Sequence, residues 1–203
     1  MTDITPYDPV PLDVRSGEPV RPRLLLIATG LVSASVVVGY LALLGYYLSE
    51  RAAVRAAGET WLPDGVNIPL TQPNFMLLTL SFSVVSMLWA VAAIRSGDRA
   101  NAYTAMGLTL VFGFAQIVQT AYLLTLVGMP AAVSESAVLI YTLVGLQVAL
   151  TGVAMGYVAV TALRTLGGGY SAANYEGPLS ATIVWIMSVG VFCALWYAVY
   201  ITK

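Results

Sequence analysis

The side chains that could do chemistry in this sequence are few and neutral: the amides of Gln116, Gln119 and Gln147, the phenol of Tyr122, and the hydroxyls of Ser81, Ser83 and Ser86, each set within an apolar stretch. Amides and hydroxyls exchange hydrogen bonds but hold no proton to give up near neutral pH. A serine nucleophile needs a base beside it, and the chain contains no histidine and no lysine within an apolar stretch. The absence of histidine also removes the commonest metal ligand and the imidazole pair that holds a b-type haem. A single cysteine, Cys193, rules out internal disulfides and thiolate clusters. The chemistry expected of these residues is therefore structural. Gln116 and Gln119 lie three apart on one helical face, and each amide is expected to seek an interhelical partner worth about 0.6 kcal/mol or slightly more. A polar path for a substrate is the sharper alternative.

The elements that position these residues follow from composition. The 203-residue chain is 59% hydrophobic and 9% charged, against about 25% charged for a soluble domain. Apolar segments occur at 24–48, 74–94, 103–127, 136–163 and 179–201, each long enough at about 1.5 Å per residue to cross a hydrocarbon core of about 30 Å. This predicts an all-α, polytopic membrane bundle of five transmembrane helices. The basic and acidic residues fall between or beyond the segments, where they avoid a mid-bilayer cost of at least about 2.5 kcal/mol each.

Residues 1–23 carry Asp3, Asp8, Asp13, Glu18 and five prolines, and are expected to form a solvated arm rather than a secretory signal, or else a strap on a partner. Arg15, Arg21, Arg23, Arg95, Arg99 and Arg164 stand on one side and Arg51, Arg55 and Lys203 on the other. The imbalance places the N-terminus in the cytoplasm and the C-terminus outside. The net charge of −1 offers no case for nucleic acid.

The first outer loop, 49–73, is expected to lie along the membrane interface, and the loop with Gly167, Gly168 and Gly169 to be flexible. Tyr46, Tyr47, Tyr170, Tyr175, Tyr197, Tyr200, Trp61 and Trp196 are expected to form an aromatic belt. Gly145, Gly152 and Gly156 on the fourth span, the last two in GxxxG spacing, mark a seam for packing within the bundle, with a dimer face as the alternative.

The order of these segments resembles subunit III of the haem–copper (cytochrome c) oxidases, in the short five-helix form. The resemblance covers nearly the whole chain. A family pattern ending in S-x-R-A lies on Ser35 to Ala52, and W-A-H-H-A lies on Trp89–Ala90–Val91–Ala92–Ala93. The turn G-N-R is similar to Gly97–Asp98–Arg99, and L-L-Q-A-Y-E to Ile117 through Tyr122. F-H-G-L-H-V falls on Leu143 through Val148, and W-H-F-V-D-V-V-W on Trp185 to Phe192. Trp89, Gly97, Arg99, Gln119, Gly145 and Trp185 match. The family's histidines are replaced by Val91, Ala92, Val144, Gln147 and Ile186, and its carboxylates by Val36, Tyr122 and Val189.

The resemblance implies a non-catalytic accessory subunit of a bacterial respiratory oxidase in the cell (inner) membrane. Its haem and copper would be carried by partner subunits and none by this chain. Its partners would be catalytic subunit I, other membrane subunits and bound phospholipid, with roles in assembly, lipid retention and stability. Loss of the family's titratable positions leaves a proton-related role without its groups. The alternatives are a subunit of a nitric oxide reductase-type enzyme or a membrane monooxygenase, or a small permease.

Overall fold

The computed structural model describes residues 23–63, 65–130 and 134–202; the expected arm thus lies outside the described residues except for Arg23. The chain folds into α1 (Leu24–Ala56), α2 (Thr71–Arg95), α3 (Arg99–Val127), α4 (Glu135–Leu166) and α5 (Glu176–Leu195), with α5 widening into a π-helical end over Trp196–Ile201. No strand occurs among the described residues, only an isolated bridge between Ser171 and Asn174. All five helices are long and apolar enough to cross a membrane, consistent with a multi-pass membrane protein.

The helices run past the apolar segments read from the sequence. Glu50, Arg51 and Arg55 sit in the last turns of α1, not in a loop, and Arg95, Arg99, Glu135, Arg164 and Glu176 occupy terminal turns of the others. A helix need not stop where hydrocarbon does, because its backbone hydrogen bonds continue into the interfacial layer.

Local chemistry sets the ends. Asp98 caps α3 by accepting from the Asn101 backbone amide at 3.1 Å and from the Asn101 side chain, and these bonds, the backbone one foremost, hold its carboxyl below the usual range. Ser134 caps α4 through the Ala137 amide. Gly97 at φ 78° makes the left-handed turn that closes α2 and lets α3 start two residues later.

The end of α1 meets the end of α5 through Arg51 with Ala198 and Thr202, and the start of α2 meets the end of α5 through Asn74 and Trp196. The start of α3 meets the end of α4 through Tyr103 and Thr165, so α1, α3 and α5 share one direction. At one end of the bundle lie the start of α1, the α2–α3 turn and the α4–α5 loop; the α1–α2 loop and the chain's end lie at the other. α5 packs against α1, α2 and α4, while α3 bridges α2 and α4. The α1–α2 loop does not merely lie along the interface. Trp61 and Ile68 are buried in the common core, where an indole and a branched alkyl group find packing that a headgroup layer cannot offer.

Candidate functional site

The buried polar groups form seams between helices. At the centre stands Trp185 of α5, only 1% exposed, whose Nε1 donates to Ser83 Oγ on α2 at 2.9 Å. Its ring reaches α3 at Gly113. A Cβ placed there would lie 2.7 Å from the ring's Cη2 and 2.9 Å from Met155 Cγ of α4, so the glycine is what admits the indole. Trp185 thus joins α5 to α2 and α3, and Met155 of α4 closes over the same glycine. Ser83 also donates to Leu80 O, and Ser86 pairs with Thr109 across α2 and α3 at 2.7 Å. Ser81 is exposed and bonds its own helix at Leu77 O. These hydroxyls are engaged in hydrogen bonds to backbone carbonyls and to neighbouring side chains.

The glutamines divide between two seams. Gln147 is 1% exposed on α4; its Nε2 donates to Ser188 O on α5 at 3.0 Å and to Thr151 Oγ1 at 3.4 Å. Gln119 Nε2 donates to Thr79 Oγ1 on α2 at 3.3 Å. Gln116 is fully buried but turns to Thr120 in its own helix at 3.2 Å, and Thr120 in turn contacts Met76 Sδ. Sequence spacing put Gln116 and Gln119 on one face, yet only Gln119 forms an interhelical hydrogen bond. Gln147 shares no partner with either. All three Oε1 atoms are buried without a donor among the described residues. Tyr122, grouped with these polar residues in the sequence, is 51% exposed on the outer face of α3, because its place in the 3.6-residue repeat turns it from the core.

Gly145, Gly152 and Gly156 require a correction. Each is exposed with open space where a Cβ would stand, so they form no seam among the described residues. Gln147, Thr151, Ala154 and Val158 point inward instead, and the glycines follow on the opposite side of α4. The close approach expected of them occurs at Gly113, which has no GxxxG spacing. Its signal was only an isolated glycine in an apolar helix, a residue that usually has a packing reason.

The aromatic belt is likewise only partly a belt. Tyr46 and Tyr197 are exposed, but Tyr47, Tyr200 and Trp61 are buried. Trp61 Nε1 donates to Tyr47 Oη at 3.2 Å with the rings edge-on at 5.4 Å, because a phenol and an indole can both pack and pair their polar tips. Arg51 lies over Tyr47 at 5.7 Å and donates to Ala198 O at 3.0 Å and Thr202 Oγ1 at 2.9 Å, capping the π-helical end of α5. Tyr40 Oη donates to Leu143 O at 3.1 Å, tying α1 to α4.

Of the remaining matched residues, Trp89 is 41% exposed on α2, Gly97 makes the α2–α3 turn, and Arg99 opens α3 at the surface. The glycine-rich loop is a hydrogen-bonded turn, with Gly168 N donating to Thr165 O and Gly169 N to Arg164 O at 2.9 Å. Among the described residues no three Cys, Asp or Glu side chains gather as metal ligands would. The arrangement can fasten helices together with neutral hydrogen bonds, and none of the buried polar groups in these seams is an acid or a base near pH 7. Compared with known proteins, the chain matches no family model, and no curated protein matches it.

Proposed function

We propose that the chain is a non-catalytic accessory subunit of the subunit III kind in a bacterial respiratory haem–copper oxidase, with its N-terminus in the cytoplasm. In this role it packs against the catalytic subunit, helps retain phospholipid and stabilises the assembly. Haem and copper reside on the partners. The observation that carries the reading is the use of the interior polar groups: Trp185, Ser83, Ser86, Gln119 and Gln147 all bond neighbouring helices and leave no titratable group in those seams. An interior of that kind suits a scaffold. The ordered resemblance of the spans to subunit III names the scaffold's setting.

The outward glycines of α4 add support. Without side chains, Gly145, Gly152 and Gly156 leave a shallow face that a helix of a neighbouring subunit can approach closely. Isolation of the tagged chain from native membranes in mild detergent tests the reading. The expected result is co-purification of a haem-bearing partner, seen as a visible-range spectrum that this chain's own residues do not supply. Migration of the chain alone, without haem in the eluate, would overturn the proposal. Gly152→Leu is expected to lower the recovered partner without unfolding the chain, because the added side chain points away from its own core.

A further inference from the structure

The end of the bundle at which α1 begins holds a cavity of about 140 Å³ between the α2–α3 turn and the α4–α5 loop, lined by Ile94, Gly97, Arg99, Thr165, Tyr170 and Ser171. Its construction follows from local sequence. Gly97 reverses the chain so that Arg99 begins α3 beside the α4–α5 loop, where its guanidinium lies 3.9 Å from the Cβ position of Gly168. Tyr170 sets its hydroxyl and the adjoining ring edge against Gly177, where any side chain would displace them, so the phenol lies at the wall between the recess and α5.

The polar groups around the cavity fall into two sets. Thr165 is engaged: its hydroxyl donates to Thr161 O at 2.8 Å, and its carbonyl accepts from Tyr103 Oη at 3.2 Å. The Arg99 guanidinium and the hydroxyls of Tyr170 and Ser171 make no hydrogen bond or ion pair with any described residue. The nearest carboxylate in sequence, Asp98, is turned to Asn101. At this end of the bundle the described cations are Arg23, Arg95, Arg99 and Arg164, against Asp98 and Glu176. Arg95 is already stacked on Tyr175 at 5.3 Å.

A recess whose free groups are a guanidinium and two hydroxyls, under a positive rim, matches an anion rich in acceptor oxygens. We propose that this cavity binds a phosphate group, held by Arg99 and met by Tyr170 and Ser171. A phosphate spreads its acceptor oxygens over a tetrahedron, so the guanidinium fork and both hydroxyls can reach separate oxygens, whereas a planar carboxylate would have to share its two oxygens among them all. The space suits it, since a water takes about 30 Å³ of liquid and the recess equals several. The apolar helices end at this level, so the phosphate can belong to a lipid headgroup or be free. The site does not depend on the subunit role proposed above.

The test uses the full chain purified in mild detergent, with whatever subunits accompany it, and measures binding by native mass spectrometry and thermal shift. The probes are dioleoyl-phosphatidylglycerol, dioleoylglycerol, which lacks the phosphate, and inorganic phosphate. Arg99→Gln is expected to weaken phosphate-dependent binding by about tenfold or more, and the exposed Ser171→Ala by about two- to fivefold, as charged and neutral hydrogen bonds differ. Arg55→Gln, in the last turn of α1 at the opposite end of the bundle, should leave binding unchanged. A preference for the phospholipid assigns the site to a headgroup, and equal occupancy by inorganic phosphate assigns it to the free anion. Equal binding of dioleoylglycerol and phosphatidylglycerol, no binding of any phosphate probe, or unchanged affinity in both Arg99→Gln and Ser171→Ala would overturn the assignment.

Discussion

α1 and α5 are both uninterrupted apolar helices long enough to span a membrane, yet half of α5's most apolar window is buried inside the protein, against 11% of α1's. α5 touches α1, α2 and α4 along its length and carries Trp185 into the meeting point of four helices. α1 stands at the margin. Leu24, Leu31, Val32 and Val38 face outward, and its hold on the bundle concentrates in Tyr40, Tyr47 and Arg51, whose polar tips reach α4, the α1–α2 loop and the end of α5. Hydropathy is blind to this difference, because lipid tails and a protein core are equally apolar surroundings. What separates the two helices is packing against fixed neighbours and a few directional bonds.

The comparison breaks most visibly at Trp185. Trp185→Ala removes an indole from a packed site and orphans its contacts on Ser83 and Gly113. The expected loss is about 3–5 kcal/mol, towards the lower figure because lipid rather than water receives the freed surface. Unfolding in mixed micelles, followed by circular dichroism, measures it, and a loss under about 1 kcal/mol would remove Trp185 from the central role.

Next in size is Arg51→Ala. It strips two charge-assisted hydrogen bonds from the half-buried end of α5, and an effect of about 1.5–3 kcal/mol is expected. Limited proteolysis should then cleave near the α1–α2 loop sooner than in the parent protein, since Tyr47 loses its cation and Trp61 rests on Tyr47. Unchanged cleavage would show that α1 is held by its apolar contacts alone.

Gln147→Leu sharpens the comparison by testing the polar seam on α5's side. The interhelical bond to Ser188 O is lost, but so is a buried Oε1 that no donor meets. A change of about 0.6 kcal/mol or less, of either sign, is expected from the same unfolding assay. A cost above about 1.7 kcal/mol would show that the amide carries more than helix fastening.

The smallest effect belongs to the outer face of α1. Leu31→Ala, at a side chain 66% exposed, should stay within about 0.5 kcal/mol in micelles. A larger shift in the isolated chain would place a neighbour against α1 that its lipid-facing position does not supply.

The glycines show how far the sequence could be read. GxxxG on α4 is a pattern of spacing, and spacing only states that the small residues share a side; Gly145, Gly152 and Gly156 do share one, and it faces out. Gly113 has no pattern, since its requirement comes from an indole 72 positions later in the chain. Likewise Trp185 stands out in the sequence by its match to a family motif, whereas its physical task depends on Ser83 and Gly113 from two other helices. Tyr47 and Trp61 carried the aromatic signature of an interface, and a core hydrogen bond claimed them instead.

The sequence by itself determined the five apolar helices and the neutrality of the interior. These follow from the cost of bare backbone and of charge in hydrocarbon, and that cost acts on each segment separately. The tertiary structure alone decided which side of each helix is buried, which glycine admits a neighbour, and which hydroxyls and guanidinium are left to line the recess at Arg99. Those outcomes depend on pairs of residues far apart in the chain, and in an apolar solvent the hydrophobic pattern that would mark a buried face in water is missing.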